Sequence, residues 1–301
     1  MATDIRNHFV PEEMLDIRNR QVMIKELKMT VRLIQSDFDF SHLDAAFQNV
    51  ERLFGGKYKG YQKCNTSYHD FRHTLLVLLA MARLMHGASL DGVEFSEKEI
   101  NFGLTSALMH DTGYIQSVDD YTGTGAKYTL SHIGRSIIFT QKYFAGDPYF
   151  EGDMKDFHDI LSCTGVHTMV ADVEFSSHSI ALLGKMLGTA DLLGQMADRL
   201  YLEKLMLLYS EFEEGAVPGF DSEIDLFRKT VSFYKRTKAR FENEFANVNR
   251  YMSIHFRECW HVDGNPYEES IEKNINYLKS ILKNSQKDIY HSLRRNTISF
   301  Q

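Results

Sequence analysis

Four prolines, three cysteines and one tryptophan are few for 301 residues. Cys64, Cys163 and Cys259 are far apart and form no CxxC pair, which argues against a disulfide framework and against a thiolate zinc site; reduced, buried thiols are expected. Pro11, Pro148, Pro218 and Pro266 all fall between periodic segments, so long stretches are free to be helical. Basic residues are also short: 34 Lys and Arg face 41 Asp and Glu, for a net charge of -7. That balance excludes an electrostatic footprint for a nucleic acid polymer. The first residues carry no signal-peptide core, and the apolar run Leu75 to Met85 is interrupted by Arg83 and is short for a bilayer span. A cytoplasmic protein with no membrane partner is expected.

Strand signals and internal repeats are scarce as well, and helical periodicity fills the space they leave. Leu43, Ala46, Phe47, Val50 and Phe54 form one stripe, opened at Ser41 and closed by Gly55-Gly56. A second helix is expected from Tyr68 to Met85, stopping before Gly87. Ser96-Glu97-Lys98-Glu99 is a capping-box pattern ahead of Ile100, Leu104, Ala107 and Leu108, on a helix ending at Gly113. Further helices fit 131–145, 154–164, 178–211 and 223–247. The last, 267–295, carries Ile271, Ile275, Leu278, Ile281 and Leu282 as an apolar stripe, suited to packing within the chain or against a second copy. The glycine-rich stretch from Ser117 to Tyr128 fits a loop, either plain surface or shaping a site. The expectation is an all-α single domain over 1–301.

What is present is an ordered set of histidines and aspartates: Tyr68-His69-Asp70-Phe71-Arg72-His73, then His110-Asp111, then Thr189-Ala190-Asp191. On a helix, His69 and His73 at i and i+4 project from one face. Asp191 lies in a run from Ile180 to Met196 whose other charge is Lys185, and a carboxylate there needs a partner or a metal. Imidazole with carboxylate suits a borderline divalent ion, and an ion beside exchangeable water is the working part of a hydrolase.

This order resembles the signature of the HD-domain metal-dependent phosphohydrolases. The local wording is similar to their cyclic-nucleotide phosphodiesterase branch, where the first motif is Tyr-His-Asn-x-x-His and the last Cys-Ala-Asp-Leu/Ile. The resemblance covers about residues 65–245, with the metal-binding core at about 65–200 and helical flanks at both ends. It implies that His73, His110, Asp111 and Asp191 hold one divalent ion, that Asp111 also bridges to a second, and that His69 is the general acid. His132 and His167 fall at positions that serve a second metal in such proteins. The implied chemistry is attack of a metal-activated hydroxide on a small phosphoester, with a nucleotide phosphodiester as the substrate class. The ions suited to these ligands are zinc, iron, manganese, cobalt, nickel or magnesium, one or two in number.

Three departures bear on the second metal and the substrate. Tyr114 stands where the branch has another histidine, and Asp70 replaces the Asn, which would favour protonated His69 if the two are close. Glu223 and Leu226 stand near the positions of the branch's purine-reading Gln and clamping Phe, and a carboxylate cannot copy an amide's donor pattern. Arg72 and Arg135 are candidates to hold phosphate, and Gln195 is a further candidate beside Asp191. His158 and the remaining histidines (His8, His42, His86, His178, His255, His261 and His291) are expected to be ordinary surface or core residues. Two other functions fit the same residues: a nucleoside monophosphate phosphatase, and a non-catalytic metal-containing sensor or interaction protein.

Overall fold

The computed structural model describes residues 19–283 and 286–293. Among them lie twelve α-helices: α1 (Arg20–Ile34), α2 (Ser41–Phe54), α3 (Phe71–Leu90), α4 (Glu97–Met109), α5 (His132–Tyr143), α6 (Met154–Ser162), α7 (His178–Met196), α8 (Tyr201–Glu214), α9 (Glu223–Asn243), α10 (Arg250–Trp260), α11 (Pro266–Ile281) and α12 (Gln286–Ser292). No strand occurs among the described residues beyond two isolated bridges, Gly55 with Lys63 and Tyr61 with Ser117. One continuous apolar core runs from Met23 to Leu293. The described residues form an all-α single domain.

Helix α3 is the axis of that core. It is apolar on every side, and such a helix has to be covered on every side. The surrounding helices α1, α4, α7 and α10 cover it, and every residue from His73 to Ala88 is buried. With 20 residues it is long and apolar enough to cross a bilayer, contrary to the expectation of a short run, but 89% of its apolar window is buried inside the protein. Arg83 does not interrupt it. Its fully buried guanidinium donates to Glu26 of α1 and, at 2.7 Å, to the Tyr267 hydroxyl of α11. Those partners make a buried charge tolerable.

Several boundaries differ from expectation. Helix α3 starts at Phe71, not Tyr68, because the Asp70 carboxylate accepts the His73 amide at 2.8 Å and caps the helix there. His69 is therefore outside the helix. Gly87 does not end α3 either. A Cβ on it would stand 1.9 Å from the Tyr251 carbonyl oxygen, so this glycine lets α10 cross α3 at close range. Both halves of the Ser96/Glu99 capping box form. Helix α4 then stops at Met109, with His110 at its C-cap and a 3-10 turn over Thr112–Tyr114.

The expected helix 178–211 is two helices. Asp198 accepts the Leu200 amide and turns the chain, while Asn274 of α11 donates to the carbonyls of Met196 and Asp198, which the end of α7 leaves open. The expected 267–295 helix is likewise divided into α11 and α12, with 284, 285, 294 and 295 outside the described residues, as is His8. The apolar stripe of α11 is buried within the chain, against α7 and α9. Two helices, α1 and α10, had no counterpart in the expectation.

Candidate metal centre

Three backbone arrangements converge near the N-terminal end of α3. His73 sits in the first turn of α3. His110 and Asp111 follow the end of α4, and Asp191 projects from the C-terminal half of α7, which packs along α3. The turn after Asp111 is fastened from α5: the Ser136 hydroxyl donates to the His110 carbonyl at 2.6 Å and accepts the Gly113 amide at 2.9 Å. Gly113 allows that closeness, since a Cβ there would stand 1.9 Å from the His132 carbonyl oxygen.

The four side chains expected to share an ion face one another. His73 Nε2 lies 3.4 Å from His110 Nε2, 3.4 Å from Asp111 Oδ2 and 3.2 Å from Asp191 Oδ1. His110 Nε2 lies 3.2 Å from Asp111 Oδ2 and 4.0 Å from Asp191 Oδ1. Ligand atoms about 2.1 Å from a shared ion stand about 3.0 to 3.4 Å apart in octahedral or tetrahedral geometry. His110 Nδ1 lies 2.8 Å from the Ala107 carbonyl, to which it donates, so its Nε2 lone pair is left toward the cluster.

Charge points the same way. Buried Asp111 Oδ2 receives no well-aligned hydrogen bond, although two ring nitrogens face it. Burial works against a charged ring at His110, but Asp111 and Asp191 outweigh it and push the imidazole up to about 9. Burial likewise opposes an ionised Asp111, and the His110 charge beside it holds the carboxyl far below the usual range. Carboxylates that draw a proton onto a buried histidine call for positive charge at this point, and a divalent cation would supply it in the proton's place.

Around this floor is a rim that meets solvent. His69, Asp191 and His132 are 15 to 20% exposed, whereas His73, His110 and Asp111 are at most 5% exposed. His132 Nδ1 donates to the Thr129 carbonyl at 2.6 Å, leaving Nε2 facing Asp111 Oδ1 at 3.9 Å. The two oxygens of Asp111 thus point to different histidines, as a bridging carboxylate would. Tyr114 is stacked between His69 and His132, at 4.3 and 4.6 Å between ring centroids, with its hydroxyl 3.5 Å from His69 Nε2.

His69 Nδ1 lies 2.6 Å from Glu211 Oε2. Burial disfavours the charged ring, yet Glu211, with Asp111 and Asp191 behind it, raises His69 above the ordinary histidine value. The proximity of Asp70 expected to do this is spent elsewhere, on capping α3. Glu211, on α8, had no motif around it in the sequence; its only signal was a glutamate on the apolar side of a helix. Ser136 carried none.

Other candidates lie at greater remove. Gln195 accepts the Tyr68 hydroxyl at 2.9 Å, one layer behind the cluster. Arg72 pairs with Asp198 at 3.1 Å, and Arg135 donates to the Gly113 and Ile115 carbonyls, so each has a structural bond in place of a waiting phosphate. Glu223 accepts the Tyr290 hydroxyl near the chain's C-terminal end, and exposed His167 lies on the turn after α6; no contact among the described residues joins either to the cluster. The expected loop 117–128 is tied down by the Tyr61 bridge and by Asp120 with Lys127 and Tyr128.

A family model described as Npun_R2479-like matches residues 119–248, less than half of the chain. That span holds His132, Asp191 and Glu211 but neither His69–His73 nor His110–Asp111. No curated protein and no solved structure matches the chain.

Proposed function

We propose that the chain is a metal-dependent phosphohydrolase acting on a small phosphoester, with nucleotide phosphodiesters as the favoured class. The observation that carries this reading is the His69–Glu211 pair at the rim of the His73, His110, Asp111 and Asp191 cluster. A site built only to hold an ion has no use for a proton donor beside it.

His73, His110, Asp111 and Asp191 would hold one divalent ion, and Asp111 with His132 a second. Such ions lower the pKa of bound water and offset the charge on phosphoryl oxygens. The chain's own residues supply the rest. His69 keeps its Nδ1 hydrogen on Glu211 and presents Nε2 to the opening. As the oxygen of a water that has released a proton to solvent bonds to phosphorus and the bond to the leaving oxygen breaks, protonated Nε2 delivers its proton to that leaving oxygen. Tyr114 and His132 wall the opening beside it. The net negative charge and the location at a helix-packed rim favour a small substrate over a polymer, in keeping with a cytoplasmic enzyme.

The test is metal analysis of the full chain followed by turnover on cyclic nucleotides, mononucleotides and bis(p-nitrophenyl) phosphate. Cleavage of diesters supports the proposal. Activity confined to terminal phosphates replaces it with a monophosphate phosphatase. Full metal loading with no turnover on any ester overturns it in favour of a sensor.

A further inference from the structure

At the other end of α3, three side chains from two helices come together. His86 of α3 and His255 of α10 are both buried, with Nδ1 atoms 2.9 Å apart. Cys259, one turn beyond His255 on the same face of α10, places Sγ 3.9 Å from each of those nitrogens. The cysteine is the member that reaches partway to solvent, and it forms no disulfide.

We infer that His86, His255 and Cys259 form a second metal site, bearing one thiolate, that takes a zinc-class ion and is separate from the His/Asp centre. The spacing is that of a coordination shell: nitrogens about 2.05 Å and sulfur about 2.3 Å from a tetrahedral ion stand about 3.3 Å apart for N to N and about 3.6 Å for N to S. The observed edges differ from these by a few tenths of an ångström, within the reach of side-chain torsions. Three ligands leave a fourth position, on the side where Cys259 approaches the surface, for water or an exogenous donor.

The ligand types select the ion. Two imidazoles and a thiolate favour zinc, or its spectroscopic substitute cobalt, over magnesium or calcium, which prefer oxygen. Binding removes the thiol proton and moves the hydrogen shared by the two Nδ1 atoms to the far nitrogen of its ring. Burial, and after it the nearby Arg83, work against positive charge on His255, so an incoming dication meets a dry setting with a cation close by. The thiolate is the ligand that compensates, which makes Cys259 the member that cannot be replaced by a neutral group. An ion here would pin α3 to α10 next to their close crossing at Gly87.

Cobalt substitution separates this site from the first, because only this one contains sulfur. The full-length chain loaded with cobalt should show a thiolate-to-cobalt charge-transfer band in the near ultraviolet. Asp111→Asn should keep the band while losing cobalt from the His/Asp centre. Cys259→Ser should lose the band together with one bound equivalent, and Cys64→Ser should leave it unchanged. His86→Gln carries the same expected loss as Cys259→Ser, so the result does not depend on one variant's folding. No band at saturating cobalt, or a band that survives Cys259→Ser, overturns the inference.

Discussion

Glu211 holds His69 by its Nδ1 at 2.6 Å, and with its other oxygen it takes the Tyr68 amide at the same distance. A buried carboxylate on α8 thus fixes both the ring and the backbone of the segment leading into α3. It also raises the ring's affinity for a proton.

If His69 is the general acid, turnover falls on the alkaline side as the ring loses its proton. Glu211→Gln removes the group that raises His69, so this alkaline limb should move to lower pH. His69→Ala should cost roughly 10²- to 10⁴-fold in kcat with metal retained. Profiles of kcat against pH decide it: an alkaline limb that stays in place in Glu211→Gln dissociates the carboxylate from the proton donor.

Loss of metal should follow the four facing side chains and not the proton donor beside them. His73→Ala and Asp191→Ala are expected to lose the ion, whereas His69→Ala keeps it. An ion at about 100 times its Kd stabilises by about 2.7 kcal/mol, roughly 4 °C in Tm for a chain of this size. In the first two variants metal content should fall by the share of the His/Asp centre, and that ion's part of the Tm shift should go with it. A shift of full size in His73→Ala would place the ion elsewhere.

Two glycines at the start of the same region should respond with opposite sign. Gly113→Ala drives a methyl into the His132 carbonyl, so it should cost about 1 to 3 kcal/mol and displace His132 from Asp111. Gly134→Ala on α5 meets nothing within 4 Å and should gain about 0.5 to 1 kcal/mol from helix propensity. Denaturant midpoints of the two variants, measured side by side, test the contact; equal midpoints contradict it.

Asp198 should give the fold an acid-sensitive element. Burial opposes its ionisation, but Lys204 and Arg72 outweigh that and hold its carboxyl below the unfolded value of 3.8. A depressed carboxyl stabilises the fold fully above the unfolded value, and that contribution is lost as pH falls through the folded one. Asp198→Asn should cost on the order of 3 kcal/mol at pH 7 by taking the negative charge away from Arg72 and Lys204. The variant's stability should also change less between pH 5 and pH 2. A pH dependence as steep as that of the unaltered chain would remove Asp198 from the account.

Much of the architecture was legible because it is written in local signals. The Ser96/Glu99 box, the stripe of α2 and the run of α11 each carry their own cap or period. The divisions were not legible, since what stops α7 is Asn274, donated from α11. The start of α3 failed for a related reason: Asp70 looks like part of a histidine motif and acts as a cap. In the site, His73, His110, Asp111 and Asp191 drew notice because each sits in unusually apolar sequence. Glu211, Ser136 and Gly113 did not, because their roles exist only once α8 and α5 are folded against the turn after α4. His86, His255 and Cys259 were passed over for the same reason, as ordinary residues until α10 crosses α3.

Both clusters take a histidine from α3, His73 near its start and His86 near its end, about 20 Å apart along one rod at 1.5 Å per residue. Each residue added to a helix turns everything beyond it by about 100°. One residue inserted or deleted between His73 and His86 would therefore swing one histidine away from its partners, however the other was accommodated. The loops of such a protein can lengthen and shorten over generations, but the thirteen-step interval along α3 is a ruler that drift cannot rescale.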